Sequence, residues 1–167
     1  MRTIGVISDT HGLLRQEALD ALAGSDLILH AGDVGDARIL DMLGRIAPVH
    51  AVYGNTDWGD LRSHLPGTTV VDLGRPDGTP SGDAVPVGPL AYVTHDLDDL
   101  DLDPAAAGLS LVVTGHTHRA HAETRDGVLY LNPGSAGPIR GKLPVTVARL
   151  ALGPESELEV EVVRLEV

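Results

Sequence analysis

Short apolar runs that each end in Asp, His or Asn recur along this chain, and that recurrence constrains its fold more than any other feature. Thr3 to Ser8 is a β-branched run closed by Asp9-Thr10-His11-Gly12. Leu27 to Ala31 leads to Gly32-Asp33, and Val49 to Tyr53 leads to Gly54-Asn55-Thr56-Asp57. Further on, Leu90 to Thr94 runs into His95, and Leu111 to Thr114 into Gly115-His116-Thr117-His118. Apolar runs of this length bounded by turn residues read as buried strands. In open αβ sheets the strand C-terminal ends face one crevice, where residues distant in sequence converge. The five clusters therefore read as one site.

Between the first strands the apolar period changes. Ala18, Leu19, Leu22 and Ala23 fall at helical spacing over Gln16 to Ala23, which stops at Gly24. Ile39, Leu40, Leu43 and Ile46 mark a second helix over about Ala37 to Ile46, and Asp57 to Leu65 reads as one or two helical turns. The second half is strand-rich, with runs at Thr69 to Val71, Leu90 to Thr94, Leu111 to Thr114, Val128 to Leu131 and Val145 to Leu150. Its one helix candidate lies near Pro104 to Leu109, and the nearly alternating tail Leu158 to Val167 reads as a half-buried antiparallel strand. Gly74 to Pro89 is rich in Pro, Gly and Ser and reads as a flexible loop or loose hairpin. The expectation is a single αβ domain over 1–167, with two mixed sheets packed face to face as a sandwich and helices outside.

Composition narrows the chemistry. The 167 residues include no Cys, which excludes disulfides, thiolate metal sites and a thiol nucleophile. A formal charge of -12 repels a phosphate backbone and argues against a broad nucleic-acid surface. A small anionic substrate is still allowed where bound cations reverse the local potential. The opening MRTIGVISDTHG lacks the pattern of a signal peptide, and no stretch approaches the ~20 apolar residues that cross a bilayer. The chain is expected to be cytoplasmic and away from membranes, and a homo-oligomer is compatible with it.

Asp, His and Asn together make a set of oxygen and imidazole ligands suited to first-row divalent ions. Gly32, Gly54 and Gly115 beside them allow sharp turns and close backbone approach. Any single cluster reads better as a turn capped by Asp or Asn. Five in the same position relative to a strand favour a shared metal site. The two imidazoles of His116 and His118, one residue apart, are expected on the same side of an extended segment.

Asp-x-His, Gly-Asp, Gly-Asn, His and Gly-His-x-His, in this order over nearly the whole chain, resemble the calcineurin-like metallophosphoesterase superfamily. The segments IGVISDTHG, HAGDV, YGNTD and LNPGSAG are most similar to its small bacterial YfcE-type phosphodiesterases. The resemblance implies a β-sandwich of two mixed sheets flanked by helices. It also implies two divalent metals, one held by Asp9, His11 and His118, the other by Asn55, His95 and His116, with Asp33 bridging. Manganese is the first choice, with iron, zinc, nickel and cobalt as alternatives. The implied reaction is in-line hydrolysis of a small phosphoester, a phosphodiester first and a phosphomonoester as the alternative, by metal-activated water. A non-catalytic scaffold of the same fold, like the retromer subunit, is the competing reading.

Asp57, placed to orient a ligand or water, and His30, just before Gly32-Asp33, are the candidate catalytic groups. Many superfamily members carry a His directly after the Gly-Asn asparagine, where this chain has Thr56. Small members commonly have Gly after the fourth-cluster His. Here His95 is followed by Asp96 and the acidic run Asp98, Asp99, Asp101 and Asp103, read as a solvated loop.

Overall fold

The computed structural model describes all residues, 1–167. Two five-stranded sheets form a sandwich. The first has the order β10-β9-β1-β2-β3, built from β1 (Arg2–Ile7), β2 (Leu27–His30), β3 (Val49–Ala51), β9 (Thr146–Leu152) and β10 (Leu158–Arg164). The second has the order β4-β5-β6-β8-β7, built from β4 (Thr68–Asp72), β5 (Leu90–Thr94), β6 (Leu111–Val113), β7 (His121–Arg125) and β8 (Val128–Asn132). Both are mixed: β1, β2 and β3 run parallel, as do β5, β6 and β8, while β9 pairs antiparallel with β1 and β10, β4 with β5 and β7 with β8.

Strand parity builds the layers. Ile4, Val6, Leu27 and Leu29 point inward and meet Val71, Ala91, Val93, Leu111, Val113 and Leu131 of the second sheet in one buried cluster. The alternate residues Ile7, Ile28 and Val147 face outward, where α1 (Gln16–Leu22) and α2 (Ala37–Gly44) cover them with Ala18, Leu22, Ile39 and Leu43. Asp36 caps α2 by accepting the Arg38 N–H. A third short helix, α3 (Gly59–His64), buries none of its residues and stands at the sheet ends.

Four features differ from what the sequence implies. Pro104 to Leu109 is a succession of turns, closed by Ala107 N–H to Asp103 and Leu109 N–H to Pro104, and it packs Leu109 onto the outer face of the second sheet. β7 escaped notice because its residues, HAETR, are exposed on both faces of an edge strand and show no alternation. In the acidic run, Asp96 accepts the Asp98 N–H and starts a 3-10 turn at Leu97–Asp99. The Gly74 to Pro89 excursion has a fixed neck: the Asp72 carboxylate accepts N–H bonds from Gly74, Val87 and Gly88. No helix is long and apolar enough to cross a membrane.

Candidate metal centre

Beyond the strand ends the loops stay paired and carry the polar clusters to one place. Asp9 N–H donates to Gly32 O at 3.0 Å and His11 N–H to Asp33 O at 2.9 Å, joining the loops after β1 and β2. Gly115 N–H donates to His95 O at 2.9 Å, joining the loops after β6 and β5. Three clusters come from the first sheet and two from the second, so the site spans the sandwich at its strand C-terminal ends. Among non-glycine residues, Asp9, His11, Asp33, His116 and His118 all have φ between 47° and 68°, in the left-handed region. Only Asp126 and Ser156, both in hairpin connections, share it. Such backbone costs on the order of 1–3 kcal/mol per residue and persists where surrounding contacts enforce it. The left-handed backbone also overturns the extended reading of Gly-His-Thr-His. His116 and His118 diverge, one toward Asn55 and the other toward Asp9.

The resulting geometry has two lobes. In one, His118 Nε2 lies 3.2 Å and His11 Nε2 3.8 Å from Asp9 Oδ1, and the two Nε2 atoms face each other at 3.4 Å. In the other, Asn55 Oδ1 lies 2.9 Å from His95 Nε2 and 3.1 Å from His116 Nδ1. Asp33 Oδ2 stands between the lobes, 3.2 Å from His95 Nε2 and 3.8 Å from His11 Nε2. The ligand atoms of Asp9, His11 and His118 all lie within 4.8 Å of one another, and so do those of Asp9, Asp33 and His95. By that measure Asp9 is the carboxylate common to both groups.

These donors fit a cation. Asp9 Oδ1 is buried and has no hydrogen-bond partner, a costly state for a carboxylate oxygen that nothing neutralises. His95 donates its Nδ1–H to the Ala31 carbonyl at 2.7 Å, which aims Nε2 at the oxygens of Asn55 and Asp33, where a cation would take its lone pair in place of a proton. That arrangement of an imidazole fixed through its far nitrogen is the usual support of a metal-binding His. A Cβ at Gly54 would strike Asp33, and one at Gly115 would strike Ser8 and Asp9, so both glycines let the backbone close on the carboxylates.

Burial raises the Asp9 carboxyl above its ordinary range, against the lowering effect of the Ser8 hydroxyl and the nearby imidazoles. Burial opposes ionisation of Asp33 too, but bonds from His95 and the Thr56 N–H outweigh it and hold that carboxyl well below its ordinary value. Desolvation lowers His11 and His118. His95 is also desolvated, yet its contacts with Asp33 and Ala31 raise it. The shifts of His11, His118 and Asp33 favour the protonation states in which metal ligands act, and those of Asp9 and His95 run the other way, toward forms that a cation would have to deprotonate.

Both candidate catalytic groups are buried away from the open crevice. His30 is at an outward-facing position of β2, beneath the loops rather than in the crevice, and is fully buried. Thr10 donates its hydroxyl to Val34 O, so His30 Nε2–H donates to Thr10 Oγ1 at 3.0 Å, while Nδ1 accepts the Gly32 N–H at 3.2 Å. This uses both ring nitrogens of a neutral imidazole, and burial pushes its pKa down to about 4. Asp57 is buried as well, and its carboxylate accepts N–H bonds from Val34, Gly35 and Gly54. It ties the Asp33 loop to the Asn55 loop, the place of a positioning group.

Other positioning residues had no distinct signal in the sequence. Ser8 donates to Asp9 Oδ2 at 2.6 Å. Asn132 donates to Gly115 O at 2.7 Å and to Thr117 Oγ1 at 3.1 Å, fixing the Gly-His-Thr-His turn. An Asn-Pro-Gly directly after a strand is the only hint of it. Asp96, read as part of a solvated loop, lies 3.5 Å from His116 Nε2.

Comparison with known proteins identifies the family. The chain is 34% identical over 169 residues to a probable metallophosphoesterase of Methanocaldococcus jannaschii, covering 98% of this chain and 81% of that protein. It is 33% identical over 138 residues to a probable metallophosphoesterase of Methanothermobacter thermautotrophicus, covering 79% and 76% of the two. Among solved structures, an archaeal phosphodiesterase superposes with a TM-score of 0.72 at 22% identity, over 96% of this chain and 99% of that one. Vacuolar protein sorting 29 of Cryptosporidium parvum superposes with a TM-score of 0.71 at 20% identity, over 99% and 98%. The model of the calcineurin-like phosphoesterase superfamily domain matches residues 1–154, and the chain belongs to that superfamily.

Proposed function

We propose that the protein is a dinuclear metal-dependent phosphoesterase that prefers phosphodiesters. The observation that carries this reading is the convergence of lone-pair donors from both sheets around Asp9 Oδ1, a buried oxygen with no hydrogen-bond partner. Asp9, His11 and His118 would hold one ion, Asn55, His95 and His116 the other, and Asp33 would serve both. The ions, when bound, supply Lewis acidity at the phosphoryl oxygens and make water acidic enough to attack near neutral pH.

The chain's own residues hold that machinery in place. Asp57 fixes the relative position of Asp33 and Asn55, Ala31 aims His95, and Asn132 fixes the turn that carries His116 and His118. Only Asp9 and Asp33 among the seven ligand candidates are formal anions, so the loaded site keeps positive charge for a phosphate. The imidazole, amide and carboxylate set suits manganese first, and iron, zinc, nickel or cobalt next. The overall charge of -12 favours a small phosphoester over a nucleic-acid polymer.

The test is metal analysis of wild type and Asp33→Ala, paired with assays of a simple diester and a simple monoester. The expectation is two ions per chain in wild type, diester turnover above monoester turnover, and loss from both positions in Asp33→Ala. Full metal content and activity in Asp33→Ala would sink the assignment. A wild type that binds metal and hydrolyses neither ester would instead be a scaffold of this fold.

A further inference from the structure

A cleft of about 450 Å³ opens beside Asn55 and His95, and Tyr53, Trp58, Arg62 and Asp99 line it. We infer that this cleft is a nucleobase subsite, in which Trp58 and Arg62 stack on the base of a small nucleotidyl phosphodiester whose phosphorus lies at Asn55 and His95. The inference rests on the phosphodiesterase reading and names its substrate class.

Trp58 is the chain's one tryptophan, and it is 72% exposed. An indole left in water at the mouth of a cleft is a large apolar face that a ligand can cover. A cation lies against it. The Arg62 guanidinium sits 4.3 Å from the Tyr53 ring centroid and 5.5 Å from that of Trp58, and Arg62 makes no hydrogen bond or ion pair. Aromatic and guanidinium planes together make a platform for bases, which stack on them whatever their sequence.

Other occupants fit less well. A quaternary ammonium group would meet Arg62 already over both rings and be repelled by it. An aliphatic chain would strip water from Arg62 and Asp99 and return no hydrogen bond. The cleft is of the size that takes one small ligand, and the net charge of -12 disfavours a polymer. The Asp99 carboxylate, exposed in the cleft lining, accepts no hydrogen bond from the protein. It offers an acceptor to an exocyclic amino group, which favours cytosine, adenine and guanine over uracil.

Because Trp58 is the sole tryptophan, intrinsic fluorescence reports on the subsite directly. Metal-loaded protein is titrated with adenosine monophosphate and with ribose 5-phosphate, exciting at the red edge of the indole band. Quenching by the nucleotide and none by the sugar phosphate is expected. In parallel, kcat/KM is measured for the p-nitrophenyl esters of cytidine monophosphate, uridine monophosphate and methyl phosphate, which share one leaving group. The cytidine ester should exceed the methyl ester by about tenfold, the scale of one stacked base, and exceed the uridine ester by a smaller factor. Trp58→Ala should abolish the tenfold preference, and Trp58→Phe should keep most of it. Equal kcat/KM for cytidine and methyl esters, with no nucleotide quenching, overturns the subsite and leaves phosphodiesterase activity standing. Hydrolysis of none of the three esters overturns the functional reading, and the titration then decides the subsite by itself.

Discussion

The Asp33 carboxylate lies so close to the Gly54 backbone that a Cβ at residue 54 would overlap both Asp33 Oδ1 and the Asp33 backbone nitrogen. The close approach brings the loops after β2 and β3 together and lets Asp57 bond to both. Gly54→Ala should therefore push Asp33 away from His95 and His11, while overpacking costs the fold only about 1–3 kcal/mol. The expected outcome is loss of bound metal with a melting transition that stays cooperative. Metal analysis beside a thermal melt checks it, and full metal content in Gly54→Ala would reject the proposed place of Asp33.

His95 and His116 should separate catalysis from stability differently. The His116 side chain is 41% exposed and that of His95 only 6%, with its Nδ1–H on the Ala31 carbonyl. Both alanine variants should lose more activity than the ~10–100-fold typical of removing a partner behind a ligand. Only His95→Ala should also destabilise the metal-free fold, because it leaves the buried Ala31 carbonyl unpaired at a cost of about 1–3 kcal/mol. Denaturant melts in chelator, alongside initial rates, test this pair. Equal stability of the two variants would argue against the Ala31 bond.

His30 gives the fold an acid limit. Burial depresses its pKa from 6.5 to about 4 in the folded state, so folding favours the neutral ring. Its contribution is complete above pH 6.5 and is lost as pH falls from there toward 4, to a total of about 3 kcal/mol. Denaturant melts across that window, in chelator, should show a shallower pH dependence in His30→Gln than in wild type. Identical slopes would mean that His30 is not held neutral.

The parts of the site that are periodic were legible in the sequence. Apolar runs ending in Asp9, Asp33, Asn55, His95 and His116 placed five strands and their convergent ends. What the sequence hid depends on direction or on distant partners. Strand parity buries His30, and a one-residue offset along β2 would have aimed it at the other face. Asp57 reads the same as any loop carboxylate until Val34, Gly35 and Gly54 are known to point N–H groups at it. The divergence of His116 and His118 follows from left-handed backbone that no propensity favours, since it is enforced by contacts with Asp9 and Asn132. β7 has no apolar face; its one mark in the sequence is the Asp126-Gly127 turn, with φ of 50° and 78°, which folds it back onto β8.

The leaving group provides the last prediction. Thr56 occupies the position after Asn55, and its backbone N–H is committed to Asp33 Oδ1 at 2.9 Å. A threonine hydroxyl is a poor acid, and His30 is sealed beneath the loops with both ring nitrogens bonded, so neither supplies a proton to a departing alkoxide. General-acid assistance is typically worth ~10²–10⁴ in rate when the leaving oxygen is basic. Aryl diesters, whose leaving groups depart unprotonated, should turn over readily, and alkyl diesters far more slowly. Rates across a series of diesters of graded leaving-group pKa measure this, in wild type and in Thr56→His. Thr56 is exposed, so an imidazole there adds a donor without disturbing the core. A steep dependence in wild type that flattens in Thr56→His is the expected result, and it requires that chemistry limit the measured rate. A flat dependence in wild type would show that another group already donates the proton, and Asp96, 3.5 Å from His116 Nε2, would be the first to replace.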